Sequence, residues 1–417
     1  MAQRADSGRR VVVTGMSGVT SLGQTWPEIE ANLKAGASGV QRMADWERYA
    51  DLLTRLGAPV VNFTLPPHYT RKTMRTMGRV AQMAVRSAEV ALEDAGLKGD
   101  AFLKSGRVGV AYGSSTGSTD AIKDFGNMLN TGESGNINAT TYIRMMGHTA
   151  AVNIGVYFGL QGRVIPTSSA CTSGSQGIGY AYEAIRFGLQ DAMVAGGGEE
   201  LCVSEAAVFD TLYATSTKND APKTTPAPFD KTRDGLVIGE GACSLVLEER
   251  ERAIARGAPI YAEIVGFASN SDGDHVTHPN THTMERVMRM ALDSAGVPPE
   301  AVQYVNAHGT ATEHGDIAES QATFRIFGQK APVSSLKGHF GHTLGACGAL
   351  ESWATIQMMH GGWFAPTRNL ETVDERCGDL DYVLGDGRKL DIELAMNNNF
   401  AFGGINTSLI FARPANR

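Results

Sequence analysis

The chain has 417 residues, 42% apolar and 19% charged, which is the balance of a folded globular protein large enough for two or three domains. Its net charge of −7 excludes the basic footprint of a nucleic-acid binder, and no stretch holds the ~20 apolar residues that a membrane helix needs. Five cysteines (171, 202, 243, 347, 377) without a Cys-x-x-Cys pair argue against a disulfide framework or cysteine zinc site. The opening MAQRADSGRR lacks a signal-peptide core, so a soluble cytoplasmic protein is expected.

Short β-branched runs alternate with longer helical patterns, which predicts α/β architecture. In chain order, strands are expected at 10–14, 108–112, 163–167, 192–195, 242–247, 262–267, 304–307, 331–334, 394–397 and 407–411. Helices are expected near 27–35, 72–96, 142–158, 173–189, 283–295, 315–327 and 344–360. Within 173–189, Ile178, Ala181, Ile185 and Leu189 share one helical face. No Pro/Gly/Ser-rich linker divides the chain. A duplication is visible: Pro166–Thr172 (PTSSACT) and Pro332–Gly338 (PVSSLKG) each read as strand, Ser-Ser, then a turn into a helix. Val108–Gly113 and Val302–Gly309 likewise both run from strand to small-residue turn. Two welded halves, 1–258 and 259–417, follow from this pattern.

Cys171 sits in TSSACTSGSQGIG, between a strand and a helix. A helix N-terminus lowers a thiol's pKa, and small neighbours admit a bulky electrophile and leave backbone N–H groups free for an oxyanion. Two histidine-bearing stretches point the same way. His308 ends a strand in Val305-Asn306-Ala307-His308-Gly309-Thr310-Ala311-Thr312. Lys337 and His342 lie five apart in a glycine-rich loop opening a helix. All four residues fall at the carboxyl ends of strands, where open α/β sheets place their sites.

With these motifs the chain resembles the elongating β-ketoacyl-acyl-carrier-protein synthases of the thiolase-like superfamily, including, in its Asn397–Phe402 loop, those of polyene pathways. The likeness runs nearly end to end, through Val11–Met16 (VVVTGM), Ala195–Leu201 (AGGGEEL), Pro228–Gly235 (PFDKTRDG) and Asn399–Asn406 (NFAFGGIN). It implies two duplicated βα halves in a five-layered α-β-α-β-α sandwich. It also implies decarboxylative Claisen condensation of an acyl-enzyme with malonyl-carrier protein, in fatty-acid or polyene and polyketide elongation. In that scheme Cys171 is the nucleophile, and His308 and His342 donate to the malonyl thioester oxygen. Lys337 and Glu351 support the histidines, and the backbone N–H groups of Phe402 and Cys171 form an oxyanion hole. Phe400 and Phe402 belong to a gating loop in which Ala401 replaces a usual glycine and Asn398 a small hydroxyl residue. Because alanine disfavours positive φ, restricted gate motion is expected. Thr277, Thr310 and Thr312 match the hydroxyls along the phosphopantetheine arm. Thr116 matches a position closing the acyl pocket near a dimer interface. No metal or organic cofactor is implied. The rival readings are a non-decarboxylating thiolase, which would want a late Cys-x-Gly motif absent here, and a non-catalytic chain-length-factor subunit, which would lack the nucleophile.

Arg71, Arg75 and Arg79 recur every four residues beside Lys72, a basic helix face suited to an acidic partner such as acyl carrier protein. A homodimer is expected, with a heterodimer as the alternative. His275-x-x-His278-x-x-x-His282 superficially suggests a metal site, but it lies in a loop and lacks a completing carboxylate or cysteine, so an entrance loop is the expectation.

Overall fold

A computed structural model describes residues 8–135 and 137–414. Its first half contributes β1 (Val11–Thr20), β2 (Val108–Gly113), β3 (Val164–Thr167), β4 (Ala192–Glu199) and β5 (Gly241–Glu249). The second contributes β6 (Ala262–Ser271), β7 (Tyr304–Asn306), β8 (Pro332–Ser334), β9 (Leu394–Ala401) and β10 (Ile405–Ala412). These strands join in the order β8-β7-β9-β10-β6-β1-β5-β4-β2-β3, with the short strand Asp381–Tyr382 outside β8.

The order repeats. In the first half β3, β2 and β4 are parallel and β5 and β1 follow antiparallel. In the second, β8, β7 and β9 are parallel and β10 and β6 follow antiparallel. The duplicated PTSSACT and PVSSLKG stretches thus sit at equivalent strands, β3 and β8. The halves meet where Val11–Val13 pair with Ala262–Ile264.

The principal helices are α1 (Arg79–Asp94), α2 (Thr149–Phe158), α3 (Ser173–Arg186), α4 (Thr281–Ala295), α5 (Glu313–Phe327) and α6 (Cys347–Gly361). α1 and α2 cover the outer face of the first half, and α4 and α5 that of the second. α3 and α6 touch strands of both halves and each other, forming the middle layer of the five-layered sandwich. A helix enclosed on all sides must be apolar or small all round, and residues 347–356 of α6 are all buried. The small run after Cys171 follows from this enclosure. A Cβ on Gly174 would lie 2.9 Å from Ala349 N and 3.0 Å from Gly345 O, so the two middle helices approach only because that side chain is missing.

Four local expectations differ. The helix expected over 72–96 begins at Arg79, after turns over 71–76 and the extended Gly78, so Arg71, Arg75 and Arg79 share no helix face. The helix expected over 142–158 is broken at Gly147 into Ala139–Met145 and α2. Leu189 lies past the end of α3 and is exposed, whereas Ile178, Ala181 and Ile185 are buried. Ala401 closes β9 without a positive φ; the left-handed turn falls on Gly403 (φ 88°) and Gly404 (φ 68°) instead.

Candidate active site

The parallel strands deliver their carboxyl ends to one cavity. Cys171 follows β3, His308 follows β7, Lys337 and His342 follow β8, and Phe402 follows β9. Cys171 occupies a 3₁₀ turn, Ala170–Thr172, that leads into α3. Ala170 holds φ 49°, a conformation that costs a non-glycine residue about 1–3 kcal/mol. Ser173 clamps this turn: its Oγ accepts from Ser169 N at 2.9 Å and donates to Ala170 O at 2.7 Å. Within this turn the strain falls on the residue before the thiol; near the histidines Ala311 (φ 64°) and Leu344 (φ 43°) are left-handed as well.

The thiol differs from expectation in its charge. Burial pushes Cys171 up to about 12, although Lys337's charge and the backbone N–H groups of Phe402 and Cys171 itself pull the other way. Desolvation outweighs the helix N-terminus, so the resting sulfur is a thiol. The same two N–H groups converge on the sulfur, which is the geometry of an oxyanion hole for a carbonyl attached there.

His342 Nε2 lies 3.1 Å from Cys171 Sγ, and its Nδ1 accepts from Leu344 N at 3.2 Å. That acceptance fixes the tautomer, leaving the proton on Nε2. His308 is set the same way: the Lys337 ammonium, a donor only, lies 3.2 Å from Nδ1. Burial first and Lys337's charge second hold both imidazoles well below the usual histidine range, so both remain neutral. The rings stand 5.1 Å apart at 86°.

Lys337 Nζ also donates to His308 O at 2.6 Å and to Glu351 Oε1, while Glu351 Oε2 accepts from Asn399 Nδ2 at 2.7 Å. Desolvation works against the buried ammonium, and the facing Glu351 carboxylate more than offsets it, so Lys337 lies above its ordinary value.

The cavity in front of Cys171 is lined by His308 and His342, by Thr277, Thr310 and Thr312, and by Phe400 and Phe402. The hydroxyls of Thr310 and Thr312 are 2.8 Å apart, and Thr277 is exposed at the mouth. Phe402 packs against Phe209, centroids 5.0 Å apart. Thr116 does not line this cavity. Its loop meets the stretch just before the nucleophile, where Ser115 O accepts from Ser168 Oγ at 3.3 Å. Cys347, the nearest candidate for a second thiolase cysteine, is buried with its Sγ donating to Cys171 O at 3.2 Å and does not reach the cavity. His275, His278 and His282 do not form a ligand set among the described residues; His275 Nδ1 accepts backbone N–H groups of Thr277 and His278, both at 3.1 Å.

Among the docking residues, Arg71, Lys72 and Arg75 are exposed. Arg79 is not available in the same way, because its guanidinium is held by the buried Glu240 and by Val60 O. Several supporting residues escaped sequence reasoning. Glu319 accepts from His308 N at 2.6 Å and Gly309 N at 2.7 Å, and Asp316 from Thr310 N at 3.0 Å and Ala311 N at 3.1 Å. Glu199 accepts from Gly345 N at 3.0 Å behind the nucleophile. Asp316 and Glu319 lie within α5, where only the strand ends folded over them reveal the role, whereas Glu199 ends β4 inside the AGGGEEL stretch quoted above. Asn399 could have been found, since its motif was in view.

Comparison with known proteins identifies similar chains. The chain is 36% identical to 3-oxoacyl-[acyl-carrier-protein] synthase 1 of Haemophilus influenzae over 97% of its own length and 99% of that protein. A crystal structure of a beta-ketoacyl synthase from Burkholderia phymatum superimposes with a TM-score of 0.96 at 58% identity, covering 98% of this chain and all of that one. A type II polyketide ketosynthase solved in complex with its acyl-carrier protein gives 0.86 at 31% identity, covering 98% of this chain and 100% of the other. The beta-ketoacyl synthase N-terminal domain matches residues 8–253 and the C-terminal domain residues 261–371, so the chain belongs to the beta-ketoacyl synthase family.

Proposed function

We infer that this protein lengthens acyl chains by decarboxylative Claisen condensation, taking both substrates from an acyl carrier protein and releasing a β-ketoacyl-carrier protein. The observation that carries the reading is the pair of neutral imidazoles, each with Nδ1 occupied and Nε2–H left for the pocket, on either side of a cysteine. Cys171 attacks the acyl thioester carbonyl, its oxyanion is held by the N–H groups of Phe402 and Cys171, and the carrier thiol departs with the thiol's proton. Malonyl-carrier protein then enters along Thr277, Thr310 and Thr312, the hydroxyls suited to a phosphopantetheine arm. Loss of CO2 places charge on the malonyl thioester oxygen, where His308 and His342 donate. The freed carbon attacks the acyl-Cys171 carbonyl, and the carbon–sulfur bond breaks to release product and thiolate.

Two neutral donors suit an enolate oxygen because they stabilise charge only as it forms. The scheme draws on no resident metal or organic cofactor. Arg71, Lys72 and Arg75 offer the basic surface for an acidic carrier. A homodimer is supported by the open edge of β3, where Val164 is 47% exposed, and by Val156 of α2 at 77%; a heterodimer with a related subunit would use the same edge. All five cysteines are free, which suits a reducing cytoplasm. No helix among the described residues is long and apolar enough to cross a membrane. Ordinary fatty-acid elongation is the default pathway, and polyene or polyketide elongation the alternative.

The test is intact-mass analysis of the protein incubated with a panel of acyl-carrier proteins, then with malonyl-carrier protein. The expected result is an acyl adduct on Cys171 that malonyl-carrier protein discharges. An adduct that survives Cys171→Ala, or none with any carrier, rejects the reading.

A further inference from the structure

One buried acid is left over by the chemistry above. Glu205 lies on the helix Val203–Asp210, is 5% exposed, and accepts from Cys202 N at 3.2 Å through Oε2. Its Oε1 is fully buried and has no hydrogen-bond partner. An orphaned buried polar atom costs about 1–3 kcal/mol, so its retention calls for an explanation.

Its placement supplies one. Residues four apart lie on one helix face, and four residues after Glu205 comes Phe209, which lines the Cys171 cavity and packs on Phe402. Glu205 is therefore one turn behind a wall of the site. The charge that weighs most on it, Glu199, is hydrogen-bonded to Ser114, Ser115 and Gly345, which flank Thr116 and Leu344 and stand outside the lining of the Cys171 cavity. Glu205 is not among the residues that line the open cavity, so a chain on Cys171 meets it only by extending past Phe209. Burial first, then the charges of Glu199, Cys202 and Glu200, raise the Glu205 carboxyl well above the ordinary range, so the group carries its proton and offers a donor.

We propose that Glu205 is a specificity-determining residue of the acyl-chain pocket, donating from Oε1 to a neutral oxygen atom borne on the incoming chain. The substrate class is thus an acyl thioester with a carbonyl or hydroxyl oxygen along its length rather than a plain hydrocarbon tail. A terminal carboxylate is excluded, because it would face Glu199 and Glu200. The proposal rests on acylation of Cys171 as described above.

The experiment measures the rate of Cys171 acylation, by intact mass, from three carrier-bound chains of one length: saturated, oxo-substituted and ω-carboxylated. The parent, Glu205→Gln and Glu205→Leu are compared. The parent takes the oxo chain faster than the saturated one, by about tenfold, the scale of one neutral hydrogen bond. Glu205→Gln, which keeps a donor of the same shape, retains the preference, and Glu205→Leu erases it while the saturated chain reacts at least as fast as before. A parent that prefers the saturated chain, or a Leu variant that slows all chains alike, overturns the assignment of Glu205 and leaves condensation intact. Absence of any adduct in the parent instead defeats the condensing reading itself, and this proposal with it.

Discussion

Replacing Lys337 by methionine keeps most of the side chain's volume and deletes its charge. In the parent, Nζ serves Glu351, His308 O and His308 Nδ1 from a fully buried position. After the change Glu351 stays buried with Asn399 Nδ2 as its remaining side-chain donor. Breaking one side of a buried ion pair costs about 3–5 kcal/mol, because the other charge is left uncompensated. At about 2 °C per kcal/mol for a long chain, the melting temperature falls by roughly 6–10 °C. A second effect is chemical. His308 Nδ1 loses its nearer, charged donor and keeps only Asn399 Nδ2 at 3.4 Å, so the proton moves more readily to Nδ1 and leaves Nε2 as a lone pair facing the enolate. Losing one oxyanion donor lowers the rate by about 10²–10³, read as CO2 release from a malonyl thioester. The double variant Lys337→Met/Glu351→Gln removes the stranded charge and should recover most of the melting temperature but not the decarboxylation rate. A single variant that melts with the parent, or releases CO2 at the parental rate, refutes this account of the buried pair.

Because His308 and His342 are held neutral by burial and by Lys337, protonation of either is pushed to acid pH. Malonyl decarboxylation should therefore stay level as pH falls from about 7.5 to about 5.5; a limb at an ordinary histidine pKa of about 6.5 would contradict neutral donors. Reversing Arg71 and Arg75 to glutamate should raise KM for carrier-bound substrate and leave a small pantetheine thioester unaffected, and equal losses on both would remove the docking role. Arg79→Glu belongs to a different class: it places two carboxylates together at Glu240 and should lower stability, measured by thermal melting, along with any effect on the carrier. Thr116→Phe should shift the acyl profile toward shorter chains, and an unchanged profile would show that the loop behind Cys171 does not bound the acyl pocket.

Most of the strand plan, and the three side chains that converge on the cavity, were legible in the one-dimensional text, for a physical reason. Buried parallel strands must be short apolar β-branched runs, and the turns that end them must be small, so the residues at those turns announce themselves. The repeat of PTSSACT in PVSSLKG likewise carried the duplication that the two halves of the sheet display. Local pattern failed where a distant contact decided the outcome. The arginines at 71, 75 and 79 have helical spacing, yet Glu240, far along the chain, takes the last of them and the helix begins only there. The charge of Cys171 was likewise a tertiary matter: a helix N-terminus argues for thiolate, and enclosure between two halves of the molecule argues more strongly for thiol. The tautomers of the two histidines and the buried Lys337–Glu351 pair exist only because strand ends far apart in the chain are folded onto one cavity. Composition and period determined what each segment is; the closing of one half on the other determined the charge and aim of every group in the site.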